Sequence, residues 1–205
     1  MKKYKGFTLI ELLITLVIVG VLLTVGVPAL KTFMQGSQLV ASTNELLSAF
    51  HIAHSESVKA NTSVTICSSS NGTSCSGSAS WRDGWIVFID LDGNGAGSTG
   101  VTCTAAGAAG GDCLLRVRGA FTDKLLSVSG EDSNTDDITQ FTFSARGLPS
   151  VAGISRAGTF LICSFDSSDN VIGSRAVVLS LSGRVRVSDN ATMINAIGCP
   201  ASPPA

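Results

Sequence analysis

The chain has 205 residues, which gives room for one globular domain and one accessory segment. Its formal net charge is −1 and only 14% of its residues are charged, so the composition excludes a protein that holds nucleic acid through bulk positive charge. The sequence also lacks a G-x-S-x-G motif, a phosphate-binding loop and any other catalytic constellation, so we expect neither an enzyme nor a cofactor.

The first element is an apolar run over residues 7–27, in which Glu11 is the only charged side chain. As a helix it would be roughly 31 Å long, which is enough to cross the hydrocarbon core of a bilayer. Three lysines precede the run and none follows it before Lys31, so the N-terminus is expected to stay cytoplasmic. We predict a single-pass protein of the cell inner membrane, with the chain beyond Pro28 in the periplasm of a Gram-negative cell.

Three interpretations of this segment compete. A secretory signal has an apolar core of only about 7–15 residues before its cleavage site, and the run here is longer. A plain membrane anchor explains the length and the lysines but not Glu11. The stretch KGFTLIELL, from Lys5 to Leu13, resembles the class III leader of the type IV pilin superfamily. The shared features are a short basic leader, Gly6, Phe7 and a glutamate in the fifth position after the cut.

The resemblance implies how the chain is processed. A prepilin peptidase would cut after Gly6, which makes residues 1–6 the leader peptide, and would methylate the new amino group of Phe7. Cleavage removes three of the 14 Lys and Arg residues while all 15 Asp and Glu residues remain, so the mature chain is more acidic, with a formal charge near −4.

The resemblance also gives Glu11 and Pro28 roles in assembly. Opposite charges attract strongly where the dielectric is low, so a subunit already in a filament would offer Glu11 to the Phe7 amine of an incoming subunit. The alternative is a glutamate that only reaches the headgroup boundary. Pro28 stands where a pilin proline marks a kink or a melted stretch of helix.

Beyond Pro28 one apolar face continues at three- or four-residue spacing, through Leu39, Thr43, Leu46, Phe50 and Ala53. We predict one long helix from Phe7 to Lys59. Its transmembrane half covers residues 7–27, and its amphipathic half, within residues 28–60, packs on a β-rich domain.

From Ser63 the pattern changes to short β runs separated by Gly, Ser, Asn and Asp. The candidate strands are Val64–Cys67, Gly84–Asp90, Leu114–Arg118, Leu125–Ser129, Gln140–Ser144, Thr159–Ser164, Arg175–Leu181 and Val185–Ser188. They predict antiparallel sheets laid on the helix, an α+β fold in which residues 61–205 form the periplasmic domain. The Gly-, Ala- and Thr-rich segment from Asn94 to Gly111 is predicted to be a flexible loop.

All six cysteines lie beyond the apolar run, and an even number on the oxidising side of a membrane favours disulfides. Sequence alone permits 15 connectivities. Because the first two pairs bracket short Gly/Ser/Ala-rich loops, we favour Cys67–Cys75, Cys103–Cys113 and Cys163–Cys199. Zinc is the alternative, but there is no CxxC motif, and we place His51 and His54 on a solvated helix face, so no metal site is predicted.

The stretch WRDGWIVFIDLDGNG, from Trp81 to Gly95, narrows the resemblance. Two tryptophans around a turn, a strand ending in Asp and a Gly/Asn turn are similar to the H-type pseudopilins of type II secretion and to the fimbrial T/U minor pilins. The later stretches TFSARGLPS and LSGRVRV extend the similarity over nearly the whole chain. The alternative is an aromatic-anchored hairpin that any β-domain could use.

The same stretch matches the opening of a calcium loop, D-x-D-x-N-G, at Asp90, Asp92, Asn94 and Gly95. Position twelve of such a loop would be Val101, where a glutamate is needed, and no helices flank the segment. We therefore interpret DGNG as a hairpin turn whose Asn and Gly tolerate positive φ, and leave calcium there undecided.

A G-R-x-R element after a strongly alternating strand places Arg184 and Arg186 on the same side of the next strand. In some fimbrial T minor pilins of transformable bacteria such an element contributes to DNA binding, and the arginine fork suits phosphate oxygens. Arg175, on the neighbouring strand, is a candidate to join them. Two surface arginines after a turn are the alternative, and the acidic mature chain implies weak binding.

The sequence supports three functional hypotheses. The first is a minor pilin or pseudopilin, a structural subunit of a type II secretion pseudopilus or a type IV pilus, acting in filament initiation, tip assembly and protein secretion. The second is a module at a pilus tip that binds double-stranded DNA, and the third is an adaptor for neighbouring pseudopilins or cargo. The expected partners are other major and minor pilins or pseudopilins, a prepilin peptidase, the inner-membrane assembly platform and membrane lipid.

Overall fold

The computed structural model describes residues 7–95, 97, 99–102, 112–121, 126–134, 136–190, 194 and 197–199. The predicted leader, with Gly6, lies outside this part of the chain. Two compact units divide the protein, the first ending at Gln38 and the second beginning at Leu39.

Helix α1 spans Leu9–Ala60, close to the predicted limits, and runs from the first unit into the second. Pro28 lies inside α1, and the helix continues past it, so the structure shows no melted stretch there. Proline has no N–H, so the carbonyl of Thr24 loses its usual helical donor at this point. Thr32 donates its hydroxyl to the Pro28 carbonyl at 3.2 Å.

The surface of the first unit is apolar on every side. Each residue from Phe7 to Met34 is exposed, and most of the large side chains among them are Leu, Ile and Val. Among the described residues, α1 is the one helix long and apolar enough to cross a membrane. A helix that is apolar all round needs either lipid or other protein chains around it.

Within the described part of the chain, eleven strands follow α1: β1 Ser63–Ser68, β2 Trp85–Asp90, β3 Thr99–Thr102, β4 Asp112–Arg118, β5 Leu126–Asp132, β6 Gln140–Phe143, β7 Pro149–Val151, β8 Ile154–Ser155, β9 Gly158–Phe165, β10 Val171–Leu179 and β11 Val185–Ser188. They form two sheets. Sheet 1 has the order β3-β4-β2-β1-β6-β7-β8, and sheet 2 has the order β11-β10-β9-β5.

The main core of the second unit lies where α1 meets the inner faces of both sheets. The five predicted face residues, Leu39, Thr43, Leu46, Phe50 and Ala53, are all buried, which confirms the amphipathic pattern. The Phe50 ring lies 5.8 Å from that of Phe141 in sheet 1 and 4.7 Å from that of Phe160 in sheet 2. Buried aromatic pairs of this kind dominate core energetics, so the helix holds the two sheets together.

The α+β fold is confirmed, but three predictions about its strands need correction. Three short strands, β3, β7 and β8, were not expected. β3 falls inside Asn94–Gly111, the segment predicted to be a loop, and pairs in parallel with β4, whereas the other described pairs are antiparallel. The DGNG turn does not close a hairpin, because β4 and not β3 is the neighbour of β2.

Disulfides tie both ends of the second unit. Cys67 is bonded to Cys75 and Cys163 to Cys199, the pairs favoured by the sequence. Cys113 is also disulfide-bonded. Its predicted partner, Cys103, lies outside the described residues.

Candidate functional site

The N-terminal end of α1 places Glu11 in a capping box. The Thr8 hydroxyl accepts the Glu11 N–H at 3.3 Å, and the Glu11 carboxylate in turn lies 3.5 Å from the Thr8 nitrogen and 3.4 Å from its hydroxyl. This reciprocal arrangement satisfies backbone donors that the first turn of a helix leaves free. Sequence reasoning missed it, although the T-x-x-E spacing at Thr8 is its signature.

The capping box leaves part of the Glu11 carboxylate available. Only Oε2 takes part in it, and among the described residues Oε1 accepts no hydrogen bond. The side chain is exposed, and Phe7 is 74% exposed beside it. The carboxylate can therefore cap its own helix and still receive a cationic donor from another chain.

A second candidate site is the hairpin between β10 and β11. The Gly183 N–H donates to the Ser180 carbonyl at 2.9 Å and the Ser180 N–H donates to the Arg184 carbonyl at 3.0 Å, which closes the turn. Gly183 has a φ of 79°, a left-handed conformation that favours glycine. The turn leaves Arg184 and Arg186 exposed, as the alternation predicts.

Arg175 does not join these two arginines, contrary to the sequence prediction. Arg186 lies opposite Val178 in the β10–β11 register, whereas Arg175 is three residues from Val178 along β10. An odd spacing in a strand changes the face. Arg175 therefore points to the core side of sheet 2, with Val177, and Arg186 points to the other side.

Arg146 lies in a turn that contacts the β10–β11 turn, and it was not predicted. A Cβ at Gly183 would collide with the carbonyl oxygen of Gly147, so the turn that contains Arg146 touches the β10–β11 turn backbone to backbone. Arg146 is exposed, and among the described residues it, Arg184 and Arg186 make no ion pair with a carboxylate. The signal available in the sequence was the stretch TFSARGLPS, whose arginine stands one residue before that glycine.

His54 lies under this junction and not on the solvated face where we placed it. Its ring meets the Phe143 ring edge-on with centroids 5.5 Å apart. The same ring would be 3.0 Å from a Cβ at Gly183. His54 therefore supports the two turns by packing, while His51 is exposed as expected.

A third cluster consists of Asp90, Asp92 and Asp112, each of which offers one carboxylate oxygen within 4.8 Å of the oxygens of the other two. Asp90 ends β2 and Asp112 begins β4, and the register that pairs Ile89 with Cys113 brings the two together. Burial raises the pKa of the Asp90 carboxyl above its usual value, and the Asp112 charge adds to that rise. Hydrogen bonds from the Gly95 N–H and the Thr65 hydroxyl, at 3.0 Å and 3.2 Å, oppose it.

Comparisons with known proteins match both parts of the chain. The family model of type II transport protein GspH covers residues 42–183, and that of the prokaryotic N-terminal methylation motif covers residues 1–27. Two crystal structures of the type IV minor pilin FimU from Pseudomonas aeruginosa PAO1 are similar, each with 20% identity over 92% of its own chain. Their TM-scores are 0.46 and 0.45, with 76% and 73% of this chain covered. No curated protein matches the chain significantly.

Proposed function

The chain belongs to the family of type II transport protein GspH, and from this premise we propose that it is a minor component of a type II secretion pseudopilus or a type IV pilus. Proteins of the pilin and pseudopilin families are structural subunits and not enzymes. The observation that carries the proposal is the first unit, a helix exposed and apolar on all sides in a chain with an N-terminal methylation motif. Such a helix is stable in lipid and then among other pilin helices.

We infer that the subunit matures by removal of residues 1–6 and methylation of Phe7. The transmembrane half, residues 7–27, would then hold the mature chain in the inner membrane, with residues 28–60 and the domain at 61–205 in the periplasm. The free Oε1 of Glu11 supports a contact with the Phe7 amine of the next subunit, because a desolvated carboxylate needs a cationic partner. In this proposal the assembled subunit contacts other pilins near the start or the tip of the filament.

Mass spectrometry of the native protein tests the processing step. The mature chain should begin at N-methylated Phe7, and Gly6→Val should leave the chain uncut at its full length. Gly20→Ala is the matched control, since a Cβ there would meet nothing within 4 Å and lies beyond the cleavage site. Normal cleavage of Gly6→Val, or a wild-type protein that still begins at Met1, would refute the proposal.

A deletion strain distinguishes the two machines. Scored together for exoprotein secretion, twitching motility and DNA uptake, it should lose secretion alone if the subunit serves a pseudopilus. Loss of twitching or DNA uptake with normal secretion would assign it to a type IV pilus. Loss of none of the three would contradict both assignments.

DNA binding by the β10–β11 hairpin is the second candidate function. It is favoured by three exposed arginines on two touching turns, Arg146, Arg184 and Arg186, that have no carboxylate partner among the described residues. Unpaired guanidinium groups are available to phosphate oxygens. Two phosphate contacts give a slope of log K against log salt of only about −1.8, so binding would be weak at physiological salt.

Fluorescence anisotropy with labelled double-stranded DNA and the full-length protein in detergent tests this function. The variant Arg184→Gln/Arg186→Gln should lose most of the affinity and flatten the salt slope. Arg175→Gln is the control for position, since it removes one arginine charge from the opposite face of the sheet, and it should keep most of the affinity. Equal binding by all three proteins would show that the arginines of this hairpin do not bind DNA.

A further inference from the structure

Three carboxylates meet where β2 ends and β4 begins. Asp90 is the last residue of β2 and Asp112 the first of β4, so they stand on either side of the segment 91–111. Asp92 follows two residues after Asp90 and is exposed, whereas Asp90 and Asp112 are each 2% exposed. Two buried acids and a third beside them repel one another while they are charged, and either a proton on one of them or a positive charge between them relieves the repulsion.

The Asp90 carboxylate has an oxygen without a partner. Its Oδ2 accepts the two hydrogen bonds from Gly95 and Thr65, but Oδ1 is buried and has no hydrogen-bond partner among the described residues. Within that part of the chain no Lys or Arg forms an ion pair with Asp90 or Asp92. A buried carboxylate oxygen left in this state costs free energy, so it indicates a ligand that the protein chain itself does not supply.

A cleft of about 480 Å³ opens beside Asp90 and is lined by polar groups, among them Asn94, Gln140 and Thr142. A small cation and its water ligands can therefore approach the Asp90 end of the cluster through a polar space. An apolar ligand would find little surface to bury there.

We propose that Asp90, Asp92 and Asp112 bind a divalent cation of the calcium type. Calcium takes six to eight oxygen ligands at about 2.3–2.6 Å, so two ligands of one ion can lie up to about 5 Å apart. The separations of at most 4.8 Å fit that geometry. The site is not the helix-flanked loop that the motif D-x-D-x-N-G suggested, because its third carboxylate comes from the neighbouring strand.

The ion would link two neighbouring strands. It would join the end of β2 to the start of β4, next to the bonded Cys113. Binding to the folded state alone stabilises it by mass action, so unfolding should depend on calcium concentration. In a calcium-containing compartment, the bound ion would then hold the end of β2 and the start of β4 together in the assembled subunit.

Calorimetric titration and thermal unfolding of the full-length protein in detergent, after treatment with EDTA, test the proposal. With CaCl₂ the wild-type protein should bind one ion with a Kd of roughly 0.1–1 mM, the range of extracellular calcium modules, and its Tm should rise. MgCl₂ should bind more weakly, because magnesium demands a near-ideal octahedral site. Asp92→Asn and Asp112→Asn should each weaken calcium binding at least tenfold.

Two variants distinguish a loss of calcium binding from a loss of folding. Asp92 is exposed, so Asp92→Asn is expected to fold even if a change at a buried acid does not. Asp83→Asn, an exposed aspartate outside the cluster, is the matched control and should bind calcium like the wild type. The site does not exist if CaCl₂ up to about 10 mM, tenfold above the weakest such modules, gives neither heat nor a Tm rise. Wild-type binding by Asp92→Asn and Asp112→Asn would equally overturn it. Neither readout depends on secretion or pilus assembly, so either result leaves the proposed function to its own tests.

Discussion

Glu11 caps its own helix, and in the proposed assembly it would also meet the amine of another subunit. As the N3 residue of a capping box it needs only an acceptor oxygen, which glutamine also provides. As the partner of another subunit's amine it needs a negative charge. Substitutions at Glu11 and Thr8 can separate the two tasks, because Thr8 belongs to the cap alone.

We expect Glu11→Gln to keep the cap and lose assembly, and Thr8→Ala to do the reverse. Loss of an N-cap costs about 0.5–2 kcal/mol of helix stability, which a membrane-embedded helix tolerates. Loss of the charge pair should reduce incorporation about tenfold or more, the equivalent of at least about 1.4 kcal/mol. The measurement is the fraction of each variant in sheared filaments. If Glu11→Gln assembled like the wild type and Thr8→Ala did not, the role of Glu11 would be local to its helix.

Asp132 shows how a buried acid is kept charged. Its side chain is fully buried, which raises the pKa, but the Arg156 guanidinium and the N–H groups of Asn134 and Asp136 all donate to it. These hydrogen bonds outweigh burial, so the pKa of the Asp132 carboxyl lies below its ordinary value of 3.8. A carboxyl whose pKa is lower in the folded state stabilises the fold above the ordinary pKa and loses that contribution as the pH falls through the folded value.

Asp132→Asn should therefore be less stable than the wild type at pH 7, by about 1.5–3 kcal/mol, because hydrogen bonds to a charged group are lost. The difference in Tm should begin to shrink below about pH 3.8, where the carboxyl of the unfolded chain takes up its proton, and should be lost once the pH falls through the lower pKa of the folded state. Thermal unfolding at a series of pH values measures both effects. Lys59→Ala, which breaks an exposed ion pair with Glu56, should change stability by less than about 0.5 kcal/mol. A pH-independent gap for Asp132→Asn would contradict this account of Asp132.

At the scale of elements, the sequence predicted the helix and those strands whose apolar residues repeat at a regular spacing. The limits of α1 and the positions of eight strands follow from apolar spacing and from turn residues, and β11 matches at both ends. β7 and β8 were missed because they have only three and two residues, too few for an alternation to show. β3 was missed because it lies in a Gly/Thr-rich segment, where its pairing with β4 makes it a strand.

Gly130 in β5 is needed for a reason that a pattern does not reveal. It pairs with Phe160 in β9, whose ring lies over it, so a Cβ would be 2.6 Å from the ring carbon Cε1. The ring cannot yield, since Phe50 and Trp81 pack against it with centroids 4.7 Å and 4.9 Å away. Gly130 therefore leaves the space that the Phe160 ring occupies in the core.

Gly130→Ala is expected to lower stability by about 1–3 kcal/mol, the usual cost of overpacking a core. Gly119→Ala is the matched control, because a Cβ there meets nothing within 4 Å, and it should change stability by no more than about 1 kcal/mol. The Tm values of the two purified variants provide the comparison. Equal Tm values would show that Phe160 moves aside at little cost.

At the scale of the whole molecule, the sequence does not predict how strands pair with one another. The N-terminal methylation motif and the exposure of Arg184 and Arg186 could be predicted, because each depends on residues that are close together in the chain. The face of Arg175 depends on how β10 pairs with β11, and the approach of Asp112 to Asp90 depends on how β4 pairs with β2. Neither strand pairing can be read from the sequence. Arg175 was therefore wrongly placed with the other two arginines, and the approach of Asp112 to Asp90 was missed.

Two disulfides join segments of the second unit, and we expect them to stabilise the fold by different amounts. Cys163–Cys199 closes a sequence separation of 36 residues and ties the C-terminal segment over the outer face of sheet 2, where Ile194 packs near Leu161. Cys67–Cys75 closes a separation of only 8 residues. In the chain-entropy description the longer closure stabilises by about 4 kcal/mol and the shorter by about 2.5 kcal/mol.

Cys163→Ala/Cys199→Ala should therefore lower the Tm more than Cys67→Ala/Cys75→Ala, and the excess should grow if the outer face of sheet 2 is uncovered at the same time. Thermal unfolding of both double variants without reductant gives the order directly. Binding of a hydrophobic dye should rise in the first variant, because the buried apolar cluster on the outer face of sheet 2 loses its cover. If the two variants unfolded at the same temperature, or in the reverse order, the C-terminal segment would not be a clamp on sheet 2.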